Sequence, residues 1–293
     1  MQIPETNANL RNERKSMKSI RENVWLWGQE PGGHHASGCY NLPGVNLLDS
    51  LGGCRLFGIQ NCCRVATDIG PEPPFDDESR KLAGLRQVVW SVLGAGGVMR
   101  NEKDTGDLEE VIRQAQRFPN VTGAVFDDFF SDRRMAIYTP EKIAAIKRRL
   151  NEGAGRHQDL WVVWYDREID LKLDDTLKLF DVVTYWTWYG YNIPQLEKYL
   201  DRMIAATPGQ RRLAGCYLWN YGEACALTPE QMDFQLETYR QYIHRGLLEG
   251  IVICSNCIAD IGLATVEQMK DWIDQHGDEP VGEYVLPKSI SMK

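Results

Sequence analysis

Short apolar runs recur along this chain, and each one stops at a cluster of polar, acidic or aromatic residues. The runs are separated by segments of helical period and have no polar alternate face, which is typical of parallel strands covered on both sides. We predict eight strands: Val24–Trp27, Cys54–Ile59, Gln87–Leu93, the stretch that begins at Gly123 and ends at Asp127-Asp128, Leu160–Trp164, Asp181–Tyr185, Leu213–Leu218 and Gly250–Cys254.

Eight strand-then-helix units in series predict an α/β fold, a single (β/α)8 TIM barrel, whose strands bring their carboxyl ends to one mouth. The competing architecture is an open, doubly wound sheet. It is disfavoured because no Gly-x-Gly-x-x-Gly turn follows the first two strands, and because polar clusters follow all the strands instead of one switch point.

Signals for helix starts support this layout. Thr139-Pro140 supplies an N-cap followed by a proline at the first helical position, and capping boxes begin at Thr228 and Thr265. A further helix is predicted over Asp107–Arg117, directly before the fourth strand.

Composition and charge narrow the class of protein. The 293 residues are 43% hydrophobic and 25% charged, as in an ordinary soluble globular protein, and no apolar run approaches the roughly 20 residues that span a bilayer. A formal charge of −8 works against binding a phosphate backbone, so neither nucleic acid nor membrane is an expected partner.

The barrel is predicted over residues 23–277, between a polar leader at 1–22 and a tail at 278–293. The leader lacks the apolar core of a secretory signal, which predicts a cytoplasmic protein as written, or a secreted one if a signal peptide has been removed.

Cysteine and histidine usage bears on cofactors. Cys254-x-x-Cys257 has no second paired spacing, and few histidines besides His34-His35 are available as ligands, so no metal and no cofactor is predicted. An oxygen site for a hard cation stays open. The glycine-rich stretch 94–97 lacks the Lys-Ser/Thr partner of a phosphate loop and is expected to be a tight turn.

The candidate chemistry centres on Asp127 and Asp128, at the end of the fourth strand. Neighbouring residues on a regular strand point to opposite sides, so both carboxyl groups face the mouth only if the chain bends there. Like charges this close raise one pKa, and a protonated acid beside an ionised one is what glycoside hydrolysis requires. The structural alternative is that one Asp caps the loop while the other makes a surface ion pair.

The form Gly-x-x-Phe-Asp-Asp-Phe, which begins at Gly123, resembles the adjacent Asp pair of TIM-barrel N-acetyl-β-glucosaminidases of the O-GlcNAc-removing type. The resemblance covers about eight residues and the barrel layout. It implies substrate-assisted cleavage in which both acids take part. The motif is more loosely similar to that of chitinases, but Phe129 stands where those enzymes place their acid Glu, which argues against a chitinase.

Further candidates follow other strands. Glu223 is the predicted second catalytic carboxylate if the enzyme uses an acid and a nucleophile, with Asp166, Glu168 and Glu30 as weaker competitors. Aromatic rings with polar tips suit sugar faces, and amides at strand ends suit sugar hydroxyls. The predicted substrate-binding residues are Asn61, Tyr165, Trp186, Trp188, Trp219, Tyr221 and Asn256.

Two classes of function remain at this point. The first is a glycoside hydrolase with a carbohydrate substrate and catalytic carboxylates at the barrel mouth. The second is a barrel that binds a saccharide or another polar ligand without turnover.

Overall fold

The computed structural model describes residues 18–282, so most of the predicted leader and tail lies outside the described residues. The central element is a closed barrel in which β1 to β8 follow chain order, all neighbours are parallel, and β1 pairs with β8. The strands are β1 Val24–Gly28, β2 Asn61–Arg64, β3 Gln87–Leu93, β4 Val121–Phe126, β5 Asp159–Tyr165, β6 Val182–Trp186, β7 Arg211–Tyr217 and β8 Gly250–Cys254. The single (β/α)8 barrel is confirmed.

Helices surround the barrel. They are α1 Gly33–Ala36, α2 Ser50–Leu56, α3 Asp76–Leu82, α4 Leu108–Arg117, α5 Asp132–Ile137, α6 Pro140–Ala154, α7 Asp174–Leu177, α8 Leu196–Ala206, α9 Pro229–His244 and α10 Ala264–His276. No helix within residues 18–282 is both long and apolar enough to cross a membrane.

The strands are buried along nearly their whole length, as the apolar runs predict. Trp25 and Trp161 are buried and meet edge to face, with ring centroids 4.8 Å apart. Edge-to-face packing is a favoured arrangement of aromatic rings and contributes about 0.5–1.5 kcal/mol beyond burial.

The predicted second strand, Cys54–Ile59, is wrong. Cys54 lies in α2, whose N-cap Asp49 accepts a hydrogen bond from the Gly52 amide, and β2 begins only at Asn61. The buried positions of α2 include Ser50, Gly53 and Cys54, which have the i, i+3, i+4 spacing of a helix. A short apolar run is compatible with both the helical and the strand period, and in this segment the chain forms a helix.

Two of the three predicted helix starts have their predicted caps. Thr139 accepts a hydrogen bond from the Lys142 amide, and Thr228 forms a reciprocal capping box with Gln231. The box at Thr265 is wrong, because α10 starts at Ala264 and the Thr265 hydroxyl donates to the Leu218 carbonyl at 2.6 Å. That hydrogen bond ties α10 to the segment after β7.

The hydrogen-bonded structure extends past both predicted barrel bounds. The Ile20 amide donates to the Glu279 carbonyl and the Val281 amide to the Lys18 carbonyl, each at 2.9 Å. The two ends of the described chain therefore pair with each other.

Candidate active site

A cavity of about 390 Å3 opens at the carboxyl ends of the strands. Both Asp127 and Asp128 line it, together with aromatic side chains from several strand ends. This is the face of the barrel where TIM-barrel enzymes hold their active sites. The lining residues are Trp27, Gln29, Gly33, His34, Ser37, Tyr40, Thr67, Asp68, Ala95, Gly96, Asp127, Asp128, Tyr165, Arg167, Trp186, Trp188, Tyr217, Tyr221 and Cys254.

A bend in the backbone brings the two aspartates into the same cavity. The Asp127 amide still donates to the Leu93 carbonyl at 2.9 Å, so Asp127 continues the sheet. Asp128 has φ 44°, in the left-handed region that Asp tolerates better than most residues. Its amide donates to Asp127 Oδ1 at 2.9 Å, which stabilises the bend. The condition that both carboxyl groups can face the mouth is thus met.

Asp127 and Asp128 have different surroundings. Asp127 is 4% exposed, and burial, followed by the negative charge of Asp128, raises its pKa well above the usual range. Arg134 and Arg167 oppose this shift without reversing it. Burial therefore favours the protonated form of Asp127.

Both oxygens of the partly buried Asp128 accept hydrogen bonds. The Tyr165 hydroxyl donates to Oδ1 at 2.9 Å, and the Gly96 amide donates to Oδ2 at 2.8 Å. Tyr165 comes from the end of β5 and Gly96 from the loop after β3, so strands on either side of β4 hold this carboxyl group.

Arg134, at the start of α5, holds the loop that carries Gly96. Its guanidinium is 2% exposed and donates to the carbonyl oxygens of Gly94, Ala95 and Asp127. Because one side chain spans the loop after β3 and the end of β4, it fixes the position of the Gly96 amide relative to Asp128. The glycine-rich stretch is thus a tight loop, as its sequence predicts. Its contact with a carboxylate was not predicted.

Aromatic rings form much of the cavity wall. Trp188 and Tyr221 stack with ring centroids 5.8 Å apart and an interplanar angle of 27°. Trp186 is buried against Gly215, where an added Cβ would lie 1.9 Å from the indole, so the absence of a side chain there makes room for the ring. Tyr165 completes the set of predicted substrate-binding residues that the structure brings to the cavity. Their contact with a sugar stays a prediction.

Three predicted binding residues lie elsewhere. Asn61 starts β2, at the end of the barrel opposite the mouth, and donates to the backbone carbonyls of Glu22 and Val24; its placement followed from the wrong strand assignment. Asn256 is fully buried and bonds the backbone of Gln29 through both ends of its amide.

Trp219 supports the wall from behind. Its indole Nε1 donates to the Tyr40 carbonyl at 3.0 Å, and its ring is not part of the cavity lining. Its contribution is therefore to hold the Tyr40 loop, whose own ring does line the cavity.

Glu223 does not fit the role of second carboxylate. It is exposed, lies outside the cavity lining, and accepts a hydrogen bond from Asn220 Nδ2 at 2.7 Å. The chain turns back after Trp219, with Asn220 pairing with Cys225, and Glu223 lies within this turn.

The three weaker carboxylate candidates also have structural partners. Asp166 accepts hydrogen bonds from the Arg167 and Trp188 amides and from Asn192. Glu168 accepts from the Tyr165 amide, and burial raises the pKa of Glu168 to about 7.

Glu30 pairs with the buried guanidinium of Arg64. None of the three lines the cavity.

Several cavity residues escaped the sequence analysis. Asp68 and Tyr40 lie on long loops after β2 and β1, and Tyr217 is the last residue of β7. A corrected second strand would have placed Asp68 a few residues past a strand end, which is the signal that identified Asp127. Tyr40 had no comparable signal, because it lies far along the loop after β1, and the sequence does not show which way that loop folds.

His34 also lines the cavity, and its Nδ1 lies 2.7 Å from the Tyr221 hydroxyl. Burial lowers the pKa of His34 to about 3, so the ring is neutral at ordinary pH. Within residues 18–282 no group of three or more His, Cys, Asp or Glu side chains is arranged to hold a metal ion.

The closed parallel barrel, with paired carboxyl groups and aromatic walls at its C-terminal mouth, makes this chain a TIM-barrel protein with an acidic, aromatic-lined cavity. No protein-family model and no curated protein matches the chain. Solved structures do match it, and glycoside hydrolases are prominent among them.

Three of these structures illustrate the likeness. The spore cortex-lytic enzyme SleL of Bacillus megaterium QM B1551 has a TM-score of 0.56 at 11% identity, over 97% of this chain and 78% of that one. A mutant of the endo-β-N-acetylglucosaminidase of Cordyceps militaris has a TM-score of 0.54 at 11% identity, over 93% and 97%. A glycoside hydrolase family 18 N-acetylglucosaminidase of Paenibacillus barengoltzii has a TM-score of 0.52 at 12% identity, over 87% and 99%. At such identities the likeness is one of fold.

Proposed function

We propose that this protein is a glycoside hydrolase that cleaves its substrate with Asp127 and Asp128. The observation that carries the proposal is that two adjacent aspartates share one cavity but have different surroundings, one buried with a raised pKa and one held through both oxygens. Pairs of acids whose surroundings separate their protonation states are a common basis for dividing acid and base roles.

Asp127 is assigned the role of general acid. With its pKa raised by burial, it keeps a proton near neutral pH and donates it to the oxygen of the leaving group as the glycosidic bond breaks. In the second half of the reaction the resulting carboxylate takes a proton from the attacking water.

Asp128 is assigned an orienting role. Tyr165 and Gly96 hold its two oxygens, and each oxygen keeps a second acceptor position for a substrate N–H group. A 2-acetamido group held in this way can attack the anomeric carbon with its own carbonyl oxygen, so the enzyme needs no separate nucleophile. This assignment fits the position of Glu223 outside the cavity, and it is the mechanism that the resemblance of the Asp pair implies.

The substrate class is therefore proposed to be a glycoside of a 2-acetamido sugar. Two of the structural neighbours are named for acting on N-acetylglucosaminides, but their likeness to this chain lies in the fold. The argument for the substrate rests on the Asp pair and on the shortage of other carboxyl groups in the cavity, where the exposed Asp68 is the only further one among the residues that the structure describes.

A panel of 4-nitrophenyl glycosides tests the proposal. We expect turnover of 2-acetamido-2-deoxy sugars, little or no turnover of the matching 2-hydroxy sugars, and a loss of roughly 100-fold or more in kcat for Asp128→Asn. Glu223→Gln is the matched control and is expected to keep wild-type rates. Binding of sugars without turnover of any glycoside would instead identify a saccharide-binding barrel, and equal turnover of the 2-hydroxy series would exclude the substrate-assisted mechanism.

A further inference from the structure

One cation faces the proposed substrate site. Among the described residues that line the cavity, Arg167 is the only Lys or Arg. It follows β5 in a short 3₁₀ turn, Asp166–Glu168, and its side chain is 41% exposed. Its position brings a permanent positive charge to the wall of a cavity that also holds Asp127 and Asp128.

The turn is fixed by the residues on either side of Arg167. Asp166 accepts the Arg167 and Trp188 amides, and Glu168 accepts the Tyr165 amide. These backbone contacts orient the turn without using the guanidinium. The arginine side chain therefore has a defined starting point at the cavity wall.

Two rings hold the guanidinium in place. Its carbon lies 4.3 Å from the centroid of the Tyr165 ring and 5.2 Å from that of the Trp188 ring. Contacts of this kind are attractive and limit the freedom of the arginine side chain. Both rings are themselves among the predicted substrate-binding residues, so an arginine group and two aromatic faces meet at one side of the cavity.

Within residues 18–282 this guanidinium makes no hydrogen bond, and its ion pair with Glu168 is a long one from Nε. Its closest carboxylate is Glu168, at 3.8 Å, and its side chain donates no hydrogen bond to any described acceptor. Two less exposed arginines differ from it, since Arg134 donates to three carbonyl oxygens and Arg211 to two carboxylates. A pre-oriented fork of free N–H donors is suited to binding an oxyanion through two parallel hydrogen bonds.

We propose that Arg167 binds a carboxylate carried by the sugar, so that the substrate is an acidic 2-acetamido glycoside. This inference rests on the proposed function, since it assumes that the cavity holds a sugar. A carboxylate fits better than a phosphate because Asp128 and Asp68 also line the cavity, and a single negative charge is repelled less by them than a double one. The net charge of −8 gives no long-range attraction to an anion, so the selectivity has to come from this contact.

Binding experiments with matched sugars test the inference without depending on turnover. The probes are N-acetylglucosamine and N-acetylmuramic acid, which differ by one carboxylate-bearing ether, and the 6-phosphate of N-acetylglucosamine. Calorimetric titration of the wild-type protein is expected to give a dissociation constant about 10- to 100-fold lower for N-acetylmuramic acid than for N-acetylglucosamine, as for a hydrogen-bonded charged pair.

The variants assign that preference to one residue. Arg167→Gln is expected to bring the ratio of the two dissociation constants close to one. Arg167→Lys should keep part of the preference for the acidic sugar because the positive charge remains, and lose the rest because lysine lacks the two parallel N–H donors. Arg80→Gln, which removes an exposed arginine paired with Asp77 on α3, is the control and should keep the wild-type ratio.

Several outcomes would overturn the inference. They are a wild-type ratio of one or less, a ratio that survives Arg167→Gln, no binding of either sugar, or binding of the phosphate as tight as that of the carboxylate. If the preference for the acidic sugar is found but no glycoside is hydrolysed, the hydrolase proposal fails while the role of Arg167 stands.

Discussion

Replacing Asp127 by Asn is expected to stabilise the protein while it removes the proposed proton donor. The buried acid has a raised pKa in the folded protein, whereas in the unfolded chain it ionises near its ordinary value of about 3.9. Between these two values the folded protein binds more protons, so wild-type stability falls as the pH rises through this window. Each pH unit across the window costs about 1.4 kcal/mol of unfolding free energy. Asn has the same shape, stays neutral, and keeps the oxygen that accepts the Asp128 amide, so the variant escapes this loss.

Urea unfolding of both proteins at several values between pH 3.5 and pH 8 measures the effect, with Glu223→Gln as the exposed control. The variant and the wild type should be about equally stable at the acid end, and the advantage of the variant should grow with pH until Asp127 ionises in the folded protein. Over the same range, kcat of Asp127→Asn should be roughly 100- to 10,000-fold below that of the wild type on a substrate with a poor leaving group. A variant that is less stable than the wild type at pH 8, or an advantage that does not change with pH, would refute the argument that Asp127 is a buried neutral acid.

Three further changes probe the cavity wall and the side chain that holds one of its loops. Tyr165→Phe removes the hydroxyl donor of Asp128 and should lower kcat about 10-fold or more with a small change in KM, measured by steady-state kinetics. Arg134→Gln removes a donor from three backbone carbonyl oxygens and the ion-pair partner of the buried Glu102, so it should lower the free energy of unfolding by about 3 kcal/mol, measured by urea denaturation. A loss below about 0.5 kcal/mol would contradict its role in holding the loop. Trp188→Ala removes an aromatic ring on which a sugar can stack and should raise KM roughly fivefold or more. An unchanged KM would show that this ring does not contact the substrate.

Most of the fold could be predicted because burial on both faces gives parallel strands a nearly uninterrupted apolar sequence. Strands β3 and β8 have the predicted bounds, Gln87–Leu93 and Gly250–Cys254. The second strand failed because Cys54–Ile59 is short and contains buried residues at a spacing that both periods permit. The capping box at Thr265 failed because the hydroxyl has a tertiary partner, which no local pattern reveals.

The candidate site could be predicted in position but not in detail. That Asp127 and Asp128 lie at the mouth follows from their place at a strand end. That both face the cavity depends on the left-handed conformation of Asp128, which the sequence permits but does not require. The contacts of Arg134 join segments about 40 residues apart, and a single sequence carries no signal for them.

The hydrolysis of a 2-acetamido glycoside, followed by proton NMR with the wild type and with a variant that combines Asp127→Asn and Asp128→Asn, tests the central claim most directly. If the acetamido oxygen is the nucleophile, two displacements at the anomeric carbon give a first product with the configuration of the substrate, and the double variant should be no faster than the uncatalysed reaction. Full activity of the double variant would contradict the claim that these two aspartates carry the chemistry, and a first product of inverted configuration would contradict the proposed attack by the substrate itself.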